Sequence, residues 1–388
     1  MSVNNMTKEQ AYTLINAIHQ QATGQTGLVA TDYTSFISVA NATMAAGFDP
    51  VLNAITQVVQ RTIVSVRPYY EKFKGLEMSA DTWGGILRKI NFADRGAEAE
   101  ESYNLVDGQA IDQYVVRKPN VLETRYVGSN VYSAHYTITR EQLKTAFSNE
   151  TEFGSFMSGL IQHFANERTQ WFENLKRSIL ANAIAAKSAM NADVINLRTL
   201  YNGETGQSLT LNDLMKADNY DAFMKWAYAK VAGISRMMTE RSQKYQMVIT
   251  GKPIMRHTPY RDQRVYMNAD FLEGLSARVL ADTYHENFLK YADVEAVSFW
   301  QAIDAPEQIN ATPVYINASG VVTNGTAQTL DNVVGIIFDR DAMGYNIFND
   351  SLDTSPFNAR GQYYNLYAHA DVQLQSDFTE KMVVFTLN

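Results

Sequence analysis

Residues 151–187 read TEFGSFMSGLIQHFANERTQWFENLKRSILANAIAAK, without a proline anywhere in the run. Phe153, Phe156, Met157, Leu160, Ile161, Phe164, Arg168, Trp171, Phe172, Leu175, Ile179 and Ala183 recur at spacings of three and four, the period that lines up side chains along one face of an α-helix. The spacing predicts one continuous helix over 151–187. At about 1.5 Å per residue it would extend roughly 55 Å, longer than an ordinary globular helix. A stripe this rich in Phe and Trp suits packing on a sheet better than a single coiled-coil partner. The predicted packing face is Phe153, Phe156, Leu160, Phe164, Trp171, Phe172 and Leu175.

N-terminal to this helix the period changes to two. Ile86, Arg88, Ile90 and Phe92 alternate, Tyr114, Val115 and Val116 form a short run, and Thr124, Tyr126, Val131, Tyr132, His135, Tyr136 and Ile138 make a later set, all strand signals. Between them lies Asp94-Arg95-Gly96-Ala97-Glu98-Ala99-Glu100-Glu101, which has almost nothing to bury. It reads as the charged tip of a long two-stranded excursion. A lone hairpin of that length is marginal in water, so it is expected to lie on another molecule. Asp94, Arg95, Glu98, Glu100 and Glu101 are the candidate inter-subunit contacts. Further upstream, Thr7 with Gln10 has capping-box spacing, and Ala11, Leu14, Ile15, Ile18 and Ala22 predict a helix over 7–22. Gly24, Gly27, Asp32 and Ser35 mark a flexible stretch before Pro50 opens a second helical segment to about Val66. With little core of its own, this region reads as an arm laid over neighbouring surface.

C-terminal to the long helix, residues 188–207 read as a loop containing Asn202-Gly203 and Gly206, and 209–239 as two helical segments. Short apolar runs at 247–250, 278–280, 294–299, 314–316 and 333–338 read as strands, as do 363–369, 372–375 and 382–385, with Ser376-Asp377 a turn. The class is α+β, a mixed lobe of helices around a sheet joined to the long helix.

Composition narrows the function. Only 19% of residues are charged while 46% are hydrophobic and 11% aromatic, against about a quarter charged in ordinary soluble chains. Tyr, Phe, Trp and Met are the types enriched in interfaces between proteins. A net charge of -8 argues against a protein that holds nucleic acid by neutralising phosphates. Having no cysteine, the chain has no disulfide, thiolate nucleophile or Cys-bearing zinc site. The polar start gives no signal-peptide pattern, and no run of about 18 apolar residues is present to span a membrane. The six histidines form no His-Glu-x-x-His pair, and no P-loop, dinucleotide fingerprint or Gly-x-Ser-x-Gly elbow occurs. Asp339-Arg340-Asp341 is the nearest thing to a metal or carboxylate site. Directly after an apolar strand, a turn using Asp for its side-chain hydrogen bonds is the expected role. His163 and Arg168 read as hydrogen-bonded helix residues.

Several motifs in order carry a family resemblance: Lys118-Pro119-Asn120-Val121, Leu143-Lys144-Thr145-Ala146-Phe147, Phe153 with Ser155-Phe156, Phe338-Asp339-Arg340-Asp341, Arg360-Gly361 with Tyr363-Tyr364 and Tyr367, and Phe378 with Val384-Phe385. Over roughly residues 80 to 388 the sequence resembles the major capsid proteins of short-tailed phages of the phi-29 type, and residues 1–75 match least. That resemblance implies the Hong Kong 97 capsid fold, with an N-terminal arm (1–75), an extended β-hairpin loop (76–136), a peripheral domain (137–190 and 355–388) on the spine helix 151–187, and an axial mixed α/β domain (191–354). It implies a shell of pentamers and hexamers of this chain, icosahedral or prolate, with scaffolding protein and portal as assembly partners. Double-stranded DNA would be enclosed but not sequence-specifically bound. Catalysis, cofactor, metal and membrane are not expected, and the place implied is the virion, assembled in the bacterial host cytoplasm. No immunoglobulin-like decoration domain is expected. The alternatives are a nanocompartment shell of the same fold and, in another class, a carboxylate-dependent hydrolase using Asp339 and Asp341. A host-binding virion protein is the third.

Overall fold

A computed structural model describes residues 8–47, 50–51, 54, 72–78, 86–98, 100–142, 150–277 and 293–388. The spine helix runs unbroken from Glu150–Ala189, as its proline-free period predicts. Its stripe meets three partners in succession. Phe156, Leu160 and Phe164 pack on the N-terminal helices and on Leu366 and Ala368, while Phe172, Leu175, Ile179 and Ile184 enter the main core. Trp171 lies edge-on to Tyr132, with centroids 5.0 Å apart. The side chain of Phe153 lies outside the described residues.

Two sheets are hung on this helix. The first has the order β12 (Met343–Thr354), β13 (Tyr363–Ser376), β3 (Asn130–Thr139), all antiparallel. In β13 the even residues Tyr364, Leu366, Ala368, Ala370 and Val372 are buried, the period-two signature of a strand with one core face. The second sheet has the order β4 (Val194–Asn196), β14 (Met382–Thr386), β11 (Val333–Asp339), β5 (Gln263–Asn268), β6 (Asp293–Val297). Its central strands are apolar on both faces. Ile336, Phe338, Met382 and Val384 join the spine-helix core, whereas Val334, Ile337, Val383 and Phe385 pack against the helix Ala217–Thr239. At Gly335 a Cβ would come within 2.7 Å of the Tyr266 carbonyl oxygen, so only glycine lets β11 close on β5. Two small ribbons, β7 (Ile309–Ala311) with β10 (Gln328–Leu330) and β8 (Val314–Ile316) with β9 (Val322–Asn324), complete that end.

Several expectations change. Asp32 and Ser35, read as flexible-stretch residues, form a reciprocal capping box that starts the helix Tyr33–Ala45. That helix and Lys8–Thr23 bury Ile15, Ile18, Phe36 and Val39 together with Phe164 of the same chain. Within the chain, the apolar stripes of residues 8–45 face its own spine helix. Loop 188–207 contains β4 and the helix Leu197–Thr205, capped by Asn196 and closed by Gly206 at φ 71. The run 247–250 forms only an isolated bridge between Ile249 and Lys252. Strand membership also crosses the lobe ranges expected from the sequence: β12 joins β13 and β3, while β14 sits inside the five-stranded sheet. Most of the expected helix at 50–66, the motif at 143–147 and the strand at 278–280 lie outside the described residues.

Candidate assembly surface

The excursion is an antiparallel ribbon of β1 (Ile86–Phe92) and β2 (Val121–Val127), in register from Ile86 opposite Val127 to Phe92 opposite Val121. Beyond Phe92 the Ala93 amide still donates to Asn120 O at 2.8 Å, and the regular pairing ends there. Tyr114, Val115 and Val116, expected as a strand, lie exposed in an irregular loop, and among the described residues no third strand or core face is there to order a longer ribbon.

The ribbon's two faces are used in an unusual sense. Ile90 and Phe92 on β1, with Val121 and Val127 on β2, are exposed, while Lys89, Asn91, Thr124 and Tyr126 turn toward the chain's own body. Lys89 Nζ lies 2.8 Å from Asp377 Oδ2 and 2.5 Å from Glu380 Oε1. Arg256 reaches Glu380 at 3.2 Å and donates to Asn91 Oδ1 at 2.9 Å. The Tyr126 phenol bonds Asp377, and burial with the two acids pushes its pKa far up. Gln373 Nε2 donates to the carbonyls of Tyr126 and Gly128, each at 3.2 Å. Farther out, Asn120 Nδ2 donates to Gly251 O at 2.8 Å and Lys252 Nζ to Val121 O at 2.7 Å.

The predicted contact residues divide. Asp94 is not at the tip: its amide donates to Pro253 O at 2.7 Å, and its carboxylate accepts from the Arg241 guanidinium and the Met255 amide. It belongs to the stem. Glu98 bonds Arg117 across the neck of the loop, which holds its carboxyl below the usual range, and Arg95 lies 4.0 Å away. Glu100 accepts from Ser102 N at 3.1 Å and caps the 3-10 turn Glu101–Asn104, and these bonds lower its pKa. The Glu101 side chain lies outside the described residues. That turn exposes Tyr103 at 89%, and the loop beyond it exposes Tyr114 at 80% and Val116 at 80%. Sequence reasoning took the charges as the contact and passed over these apolar side chains. The β-forming character of Tyr114 and Val116 predicts a strand there, and Tyr103 carries no period of its own.

The catalytic alternatives find no geometry. Asp339 is buried and accepts from Thr258 Oγ1 at 2.7 Å and the Asp341 amide at 2.9 Å, the turn role expected of it. Burial raises its pKa. Asp341 points to the surface with Arg340 at 3.4 Å. His163 stands 3.2 Å from Glu167, and Arg168 bonds Asp350. Among the described residues no group of three or more His, Asp or Glu is arranged to hold a metal ion, and no helix is long and apolar enough to cross a membrane.

The chain matches the description Phi29-like phage major capsid protein over residues 15–386. Among solved structures it is similar to the capsid structure of Staphylococcus phage Andhra, with a TM-score of 0.56 at 12% identity over 82% of this chain and 84% of that one. It is also similar to a chain in the structure of head fiber and inner core protein gp22 of native bacteriophage P68, with a TM-score of 0.54 at 11% identity over 82% and 85%. No curated protein matches. At such identities the likeness is one of fold, the Hong Kong 97 capsid fold. The mixed sheets on a long spine helix and the match over nearly the whole length lead to one conclusion: the chain belongs to the Phi29-like phage major capsid protein family, and its work is to build the capsid shell, not to catalyse a reaction.

Proposed function

We propose that the hairpin is the principal inter-subunit contact of that shell and that its apolar side chains, more than its acids, carry the contact. The observation behind this is the exposure of Tyr103, Tyr114 and Val116 at the tip and of Ile90 and Phe92 on the ribbon. Large apolar side chains on one extended limb are left in water only where a partner covers them. In a shell, one copy's limb meets a different patch on the next copy, and such heterologous contacts close when their rotation permits. Glu98 and Glu100 then set register more than they add affinity. The lobes of the family fold would be a peripheral one on the spine helix and an axial one around the five-stranded sheet, meeting in pentamers and hexamers.

The remaining partners follow from charge. With 33 basic and 41 acidic residues, the wall encloses double-stranded DNA without gripping it, which leaves filling to a portal and shape to a scaffolding protein. Assembly takes place in the bacterial host cytoplasm and the product is the virion. Size-exclusion chromatography followed by negative-stain imaging tests the core of this reading. Closed particles are expected from the unaltered chain, and soluble unassembled subunits from Y103S/Y114S/V116S. Normal particles from that variant would overturn the role given to the tip.

A further inference from the structure

A strand pair that docks on a protein core normally turns its apolar face inward, whereas here Ile90 and Phe92 stay outside with the Arg88–Glu123–Arg125 ion pairs and a lysine turns in. The inward face of the β1–β2 ribbon presents Lys89, Asn91, Leu122, Thr124 and Tyr126, and its lysine meets a set of charges on the turn between β13 and β14. The Asp377 and Glu380 side chains are only 3% and 7% exposed. One ammonium is therefore shared between two water-excluded carboxylates, with Arg256 closing on Glu380 from the other side and bridging to Asn91. Thr379 further ties Asp377 through its amide at 2.9 Å and its hydroxyl at 2.6 Å.

From this arrangement we infer that the stem of the hairpin is an ionic latch, closed on the chain's own 377–380 turn in the unassembled subunit, which aims the loop before a neighbour arrives. A ribbon held by charge on its inner face keeps its apolar outer face free. Leu122 and the Tyr126 ring add some apolar contact on the inner face, but the directional ties of the stem are those of the charge cluster. Water exclusion makes the tie short-ranged and directional and leaves it little screened by salt. It is also exacting, because removing one member strands the others in a dry site. The latch is a property of the single subunit; only its consequence, a hairpin presented in one direction to the next copy, rests on the shell reading above.

Hydrogen exchange on the full-length unassembled subunit tests the latch without requiring particles. In K89M, exchange at 86–92 and 121–127 should rise by about tenfold or more, with β11 and β14 unchanged. The K89M/D377N variant should loosen the stem less than K89M alone, because Glu380 keeps Arg256 and no buried charge of the cluster is left without its counterion. Unchanged stem exchange in soluble K89M would overturn the inference. So would equal loosening of the stem and of β11 and β14, since the cluster would then serve general stability. A failure of the shell reading would be seen separately, as an unaltered chain that forms no particles although its stem is protected.

Discussion

In β14 every side chain from Met382 to Thr386 is buried, with Val383 and Phe385 against one helical layer and Met382 and Val384 against the other. In the β1–β2 ribbon, Ile90 and Phe92 face outward and a lysine faces in. Both segments are short runs of strand-forming residues. One is completed by its own chain, and the other has only its polar half completed. The difference separates two kinds of stability within one subunit: β14 is held by area removed from water and the ribbon's inner face by a few buried charges, while the proposed shell contact would cover the ribbon's outer face.

The comparison can be broken in several places. The largest effect is expected in the core, where F385A should cost about 3–5 kcal/mol of unfolding free energy, measured by denaturant titration of the unassembled subunit. A cost under about 1 kcal/mol would mean that β14 is no better covered than the ribbon. G335A should follow at about 1–3 kcal/mol, since its methyl group meets the β5 backbone. On the other side, I90S/F92S should change subunit stability by less than about 0.5 kcal/mol while abolishing closed particles in electron micrographs. Reversal of Glu98, Glu100 and Glu101 to Lys should impair particle formation with the subunit still folded. At Glu98 the reversal also sets a lysine beside Arg117, so the neck of the loop should open first.

The smallest effect is the pH response of the stem. Burial would raise Asp377, but the charge and hydrogen bond of Lys89 and the bonds from Thr379 hold it below the usual 3.8. Its contribution is therefore present above that value and lost as pH falls through the lower folded one. Burial would lower Lys89, and the two acids outweigh it and hold it above 10.5, so its contribution is present below 10.5 and lost only at higher pH. Stem protection, followed by hydrogen exchange corrected for intrinsic rate, should stay flat from about pH 5 to 9. Glu380 moves the other way, pushed up by burial against Lys89 and Arg256. A loss of protection beginning well above pH 5 would transfer the main tie from Asp377 to Glu380.

Much of the fold is legible in the sequence because it is written in local period. The spine helix, the alternation of β13 and the apolar runs of β11 and β14 all follow from spacing. Asp32 and Ser35 were open to two readings, since the residues that suit a turn also suit a helix cap. Tyr114, Val115 and Val116 have strand character, but a strand needs a partner and none of the described residues offers one. The candidate site was half visible. Alternation in β1 marked a ribbon with an apolar face, yet nothing local says whether that face turns inward or outward.

By itself the sequence determines the spine helix and its packing stripe, the position of most strands and the net negative charge, because each is a property of residue type and near spacing. The tertiary structure decides that Lys89 meets Asp377 and Glu380, 288 and 291 residues away in the chain, that β14 inserts between β4 and β11, and that the N-terminal helices fold back on Phe164. These are choices among distant surfaces. They are made by which pairing buries the most apolar area and leaves no charge without a partner, a comparison that exists only once the whole chain is in place.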